Sequence, residues 1–177
     1  GTEHITREEI EMPRIGLAQG LSHEIQPAHA KFIEGLRLGE MFNTLTKRVY
    51  GVGPMEFCIV RADPPRYVEF NPREQGGGVR ELDVPAGDPR TKFTRDPDTG
   101  ASMKPLATKF MDFIVVLLPS REIVALSFKS AMLSTGKQLN GLIKVLNVPL
   151  YGGKYELGTA QKTNPKGTFS VFTVKQK

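Results

Sequence analysis

A chain of 177 residues with 39% hydrophobic and 24% charged residues can bury one sizeable core, and its composition is that of a folded globular domain rather than a disordered one. One cysteine, Cys58, and three histidines exclude an internal disulfide and offer no zinc-site spacing. No run approaches the roughly 20 apolar residues of a membrane span. No signal peptide is visible either, so the expectation is a cytosolic protein without a membrane partner. The formal net charge is +5.

Residues 1–38 read as a mixed leader, because the glycines of Gly16–Ser22 argue against a stable helix. The leader is expected to lie extended, either along its own domain or exchanged with a neighbouring subunit. Residues 40–50, rich in Thr, Phe, Val and Tyr, read as a first strand. A turn at Gly51–Pro54 leads into a second strand at Met55–Ala62, with Cys58 expected in the core. Asp63-Pro64-Pro65 breaks the run, and Arg66–Phe70 resumes it. Residues 71–108 hold Gly76-Gly77-Gly78 and five prolines, and read as a long irregular insertion, in part mobile or ordered by a ligand. Lys109–Leu118 and Glu122–Phe128 form a hairpin about Pro119-Ser120-Arg121.

Met132, Leu139, Leu142, Ile143 and Leu146 then recur at helical spacing over 130–146, with Lys137, Asn140 and Lys144 on another face and Ser130 as the N-cap. Gly136 and Gly141 weaken that helix, which marks them for close packing or close approach of a ligand. Leu150–Lys162 and Thr168–Lys175 form a last hairpin about Asn164-Pro165-Lys166-Gly167. Strands, one helix and a final hairpin match the order of an oligonucleotide-binding (OB) Greek-key barrel. The expected architecture is therefore mainly β: a leader over 1–38, and a single OB-like domain over 39–177 interrupted by the 71–108 insertion.

Charge is unevenly spread. Residues 109–177 carry ten Lys/Arg against three Asp/Glu, while residues 1–70 carry eight against ten. A cationic third fits a polyanionic partner as well as it fits solubility. Single-strand binders need cations for phosphates and flat rings for bases on one face or groove. The residue types mix in three places: Lys47, Arg48 and Tyr50; Arg61, Arg66 and Tyr67; and Tyr151, Lys154, Tyr155, Lys162 and Lys166. Lys137 joins them from the helix. On a strand Lys154 and Tyr155 point to opposite faces, which counts against this pair acting together.

Catalytic signatures are missing. There is no GxxxxGK[ST], GxGxxG or GxSxG. Ser134–Lys137 lies inside the predicted helix rather than before one. The three histidines lie in the leader, and the basic third offers only Asp112, Glu122 and Glu156 for metal-dependent chemistry. No enzyme, metal or cofactor is expected.

Three stretches carry a family resemblance: Met12–Ile25, Ala125–Lys137, and Tyr155–Lys162 continued through Gly167–Phe172. On these the chain resembles a loose group of bacteriophage replication-region proteins that includes OB-fold single-stranded DNA-binding proteins. The resemblance implies a non-catalytic protein that coats single strands in phage DNA replication or recombination, with replication or recombination proteins as further partners. Many such proteins end in an acidic tail, whereas Thr173–Lys177 is basic, so recruitment through such a tail is not implied. The competing expectation is a protein-interaction module, a virion component or host-factor binder, without nucleic-acid binding. DNA or RNA preference and oligomeric state stay open at this level.

Overall fold

Alternation of apolar and polar side chains puts Phe57 and Ile59 of one strand, and Met111, Phe113, Val115 and Leu117 of another, on a common face, and all six are buried. The computed structural model describes residues 3–6 and 10–177; expectations for residues 1, 2 and 7–9 of the leader lie outside the described residues. Its strands are β1 (Ile15–Leu17), β2 (Met41–Asn43), β3 (Val49–Gly51), β4 (Met55–Ala62), β5 (Arg66–Phe70), β6 (Val79–Glu81), β7 (Thr94–Arg95), β8 (Ser102–Met103), β9 (Ala107–Leu118), β10 (Ile123–Lys129), β11 (Lys154–Asn164) and β12 (Gly167–Gln176), with one α-helix, α1 (Leu133–Leu146).

The main sheet is antiparallel. β4 pairs with β9 from Glu56↔Leu118 to Ala62↔Phe113, and β5 continues the ladder from Arg66↔Phe110 to Glu69↔Ala107. β4 and β5 are thus one long strand, broken where Pro64 and Pro65 withhold their backbone donors. Across the break the Asp63 N–H still donates to the Asp112 carbonyl at 3.0 Å. β10 takes the other edge of β9, and β11 pairs with β4 and β12. The resulting order of long strands is β12-β11-β4/β5-β9-β10. α1 packs Leu139 into the core, joined by Phe128, Tyr155, Leu157, Phe172 and Val174.

The sheet does not close into a barrel, because β10 and β12 are not hydrogen-bonded to each other. The leader occupies the gap. The Ala125 N–H of β10 donates to the Pro13 carbonyl at 2.8 Å. Six residues on, the Gln19 side-chain amide acts as a strand residue toward β12: its Nε2 donates to the Ser170 carbonyl at 2.7 Å, and its Oε1 accepts from the Ser170 N–H at 3.0 Å. β1 also pairs with β2, and Ala18, Ile33, Leu36 and Phe42 form a second small core beneath the leader's turns.

Four local expectations are corrected. Residues 40–50 form two short strands, because Asn43 Oδ1 accepts from the Leu45 and Thr46 N–H groups and turns the chain between them. Ser130 does not cap α1: it lies in a 3-10 turn, Ser130–Met132, that precedes the helix and makes no side-chain cap bond. Cys58 is only half-buried, since Phe57 and Ile59 on either side take the inward positions. Residues 71–106 are short pieces rather than one loop: β6 pairs with β5, and β7 with β8.

Arg90 ties the insertion to the sheet. Its Nη1 donates to Glu69 (2.6 Å) and Glu81 (2.7 Å), and its Nη2 to Asp88 (2.8 Å). The guanidinium and its own backbone N–H hold the Asp88 carboxyl down at about 2, so this contact is present above the usual carboxylate range and is lost only as pH falls through about 2. Arg90→Gln is expected to speed protease cleavage within 71–106 by about tenfold, as a locally opened segment would, while the main sheet still unfolds at its original temperature.

Gly53 is fixed by two constraints. Its φ is +87°, and a Cβ would lie 2.5 Å from the Leu157 carbonyl oxygen. Gly51 shares a positive φ of +77° but has open space around it. Gly53→Ala is expected to cost about 2–3 kcal/mol in urea unfolding and Gly51→Ala only about 1 kcal/mol. Equal costs would mean that the close approach of β11 contributes nothing.

Candidate nucleic-acid interface

On the face of β9 turned away from the core, the register sets three strands side by side at one level: Arg66↔Phe110 from β5 and Phe110↔Lys129 from β10. The Arg66 guanidinium carbon lies 4.6 Å from the Phe110 ring centre, and Lys129 Nζ lies 5.3 Å from it. Phe70 stands beside them, 6.2 Å from Phe110 and 5.9 Å from Lys129 Nζ. Both cation–ring contacts are within the range of favourable cation–π attraction. Phe110 is 8% exposed and Phe70 39%, so Phe70 is the ring with a face free for a ligand.

One step along the strands, Asp112 lies opposite Ser127. Asp112 accepts from Arg66 Nε at 2.5 Å and from the Ser127 hydroxyl, and that hydroxyl in turn accepts from Arg14 Nη1 of the leader at 3.2 Å. Arg14, Arg66, Phe70, Phe110 and Lys129 line an open groove of about 580 Å³, walled by Val79 and Leu82 of the insertion on one side and by Gln19, Met132 and Phe172 on the other. Arg14 and Arg66 also line a neighbouring cleft of about 380 Å³ with Arg61, Asp63 and Asp112.

The charges of this groove do not cancel. Arg66 is neutralised by Asp112. Arg14 and Lys129 have no ion-pair partner among the described residues, although Glu24 also lines the groove. Desolvation by the groove walls, and then the like charge of Arg66, lower the Lys129 pKa below its ordinary value of 10.5. A lysine held in this way gains free energy when an anion arrives, because the anion supplies the missing counter-charge.

Of the residues singled out in the sequence, Arg66 is the one the structure brings into this groove, and Arg61 joins it in the neighbouring cleft, paired with Asp63 at 2.7 Å. Tyr155 is a correction: it is 1% exposed, 5.5 Å from Phe57 in the core, and offers no face to a base. Tyr50 is half-buried, its hydroxyl accepting from Asn43 and donating to Glu122, and burial raises its pKa. Arg48 pairs with the same Glu122 at 3.5 Å. Lys47 is exposed on the β2–β3 turn, and Tyr67 is half-buried on β5. Lys154 borders a separate cleft with Glu56 and Arg121. Lys162 and Lys166 sit on the exposed end of the β11–β12 hairpin, whose residues beyond Leu157 pair only with β12. Lys137 and Tyr151 are exposed on and just after α1, outside the groove.

The sequence reading missed Arg14, Phe70, Phe110 and Lys129. One signal was present: a tight hairpin about Pro119 and Ser120 places Phe110 opposite Lys129 by counting back along both strands. Among the described residues no group of three or more His, Cys, Asp or Glu is placed to hold a metal ion, and no helix is long and apolar enough to cross a membrane. No curated protein and no solved structure matches the chain. One family model does, over residues 1–177, and by that match the chain belongs to a phage protein family, the Pam3 phage gp34-like proteins.

Proposed function

We propose that this protein binds single-stranded DNA without catalysis, in the groove between the insertion and the leader, and serves phage DNA replication or recombination. The observation that carries the reading is the row Arg66–Phe110–Lys129 with the half-exposed Phe70 beside it. A base stacked on Phe70 would bring its phosphates within reach of Lys129 and Arg14, the two cations without carboxylate partners. Stacking of this kind is worth about 1–3 kcal/mol per base and is largely indifferent to sequence.

The strand order adds support. With β4/β5, β9 and β10 as a meander, α1 after it, and β11 returning to β4, the order is that of an OB Greek key with its closing pair unmade. OB barrels take oligonucleotides on the face of their second and third strands, between the loop joining the first two strands and the loop joining the last two. Here those are β9 and β10, the 71–106 insertion, and the β11–β12 turn with Lys166.

The test is fluorescence anisotropy with a labelled oligo-dT of about 30 nucleotides, the matching duplex and the corresponding RNA, at low and moderate salt. Binding should favour the single strand. Log affinity should fall against log salt with a slope of about −0.7 per phosphate contacted, so roughly −2 for Arg14, Arg66 and Lys129 together. No binding to the single strand at low salt would remove the reading.

A further inference from the structure

The outer face of α1 is a second surface, separate from the groove. Thr135, Gly136 and Leu139 turn inward, and Gly136 explains itself: a Cβ there would meet the Met111 sulfur and the Phe128 side chain at 3.1 Å. Gly141 has no such reason. It is exposed, with nothing within 4 Å of where its Cβ would be. A helix-weakening residue that no packing demands leaves a shallow saddle on the outer face. Lys137 lies one turn before it and Lys144 and Val145 one turn after, at i−4, i+3 and i+4.

Around this saddle the surface is apolar and cationic. Val145 is 79% exposed, the highest value for a large apolar side chain among the described residues, and Tyr151 reaches 73%. Val148 is 44% exposed and lies against Gly152, so the turn bearing Tyr151 folds back beside the end of α1. Neither Lys137 nor Lys144 has an ion-pair partner among the described residues, and no Asp or Glu occurs between Glu122 and Glu156.

We infer that this face docks a short acidic segment of a partner protein, with apolar side chains seated on Val145, Val148 and Tyr151 and carboxylates meeting Lys137 and Lys144. The charge complementarity decides the partner's sign, and the exposed valines decide its class. An aliphatic side chain offers no flat face to a base, whereas burying it against another apolar side chain drives protein association. Gly141 lets the partner's backbone approach the helix closely.

The experiment uses the full chain and a fluorescein-labelled peptide of about twelve residues that alternates Asp with Leu and Phe. A second peptide with Lys in place of Asp, and labelled oligo-dT, are run alongside. The acidic peptide should bind and the basic one should not. Lys137→Glu with Lys144→Glu, and separately Val145→Ser, should each weaken it by about tenfold and leave oligo-dT affinity within about twofold. None of these side chains is buried, so unchanged thermal unfolding will verify that both variants fold. The inference is overturned if the acidic peptide does not bind at low salt, or if it binds both variants as it binds the parent. It is also overturned if the lysine reversals weaken oligo-dT as much as peptide, which would make the face a nucleic-acid surface. Failure of the single-strand reading shows up separately, as absent oligo-dT binding by the parent chain whatever the peptide does.

Discussion

Lys129→Glu should lower affinity for oligo-dT by about thirtyfold, the loss of one charge-assisted phosphate contact worth about 2 kcal/mol, and should leave the fold as stable as before or slightly more so. The two effects separate because Lys129 has no carboxylate partner to lose and sits under the like charge of Arg66. A glutamate there faces Arg66 and Arg14 with the opposite sign. Arg66 itself would be a poorer probe, since its removal strips the buried Asp112 of its partner at 2.5 Å and confuses binding with stability.

Lys129→Met sharpens the result, because it keeps the stem on Phe70 and Phe110 and removes only the charge. It should give an intermediate affinity and a salt slope shallower by about 0.7. The lowered pKa has a sign of its own. The folded state binds the Lys129 proton less tightly than the unfolded chain does, so stability rises with pH from the folded value up to 10.5, and Lys129→Met should abolish that rise. Binding at parental affinity by Lys129→Glu would place the nucleic acid elsewhere.

Gln19→Ala should destabilise the fold by about 2–4 kcal/mol, because it leaves the N–H and the carbonyl of Ser170 without partners at a residue that is 3% exposed. For a domain of this size that corresponds to a drop in Tm of roughly 10 °C. Gln19→Glu keeps the acceptor for the Ser170 N–H but sets a carboxylate against the Ser170 carbonyl, and should not restore stability at neutral pH. The measurement is urea unfolding of the three proteins under one condition. A loss below about 0.5 kcal/mol for Gln19→Ala, the ordinary size of a surface change, would mean that the seam between β10 and β12 does not depend on the leader.

Both predictions rest on contacts that join distant parts of the chain, and the charge count shows why these were hard to read. The excess of cations lies in residues 109–177, yet Arg14 and Arg66 come from the first 70 residues, where acids outnumber bases. Arg48 and Arg61, which look equally available in the sequence, are paired with Glu122 and Asp63. Net charge adds up residues, whereas a binding surface depends on which charges are left over after neighbours have paired.

Local patterns were read well wherever the physics is local. The bounds of β4 and β5 follow from alternation and from two prolines that cannot donate to a ladder, and the β9–β10 hairpin and α1 follow from their periods of about 2 and 3.6 residues. These determined a mainly β domain with one helix before a final hairpin, and the missing catalytic signatures left binding as the expectation. Tertiary structure alone decided that β5 continues β4 along β9 and so sets Arg66 beside Phe110, that Tyr155 faces the core, and that a leader glutamine stands in for the strand pair the sheet does not make. The reason is distance along the chain: Gln19 and Ser170 are 151 residues apart, and no local preference encodes a partner that only the folded sheet brings within hydrogen-bonding reach.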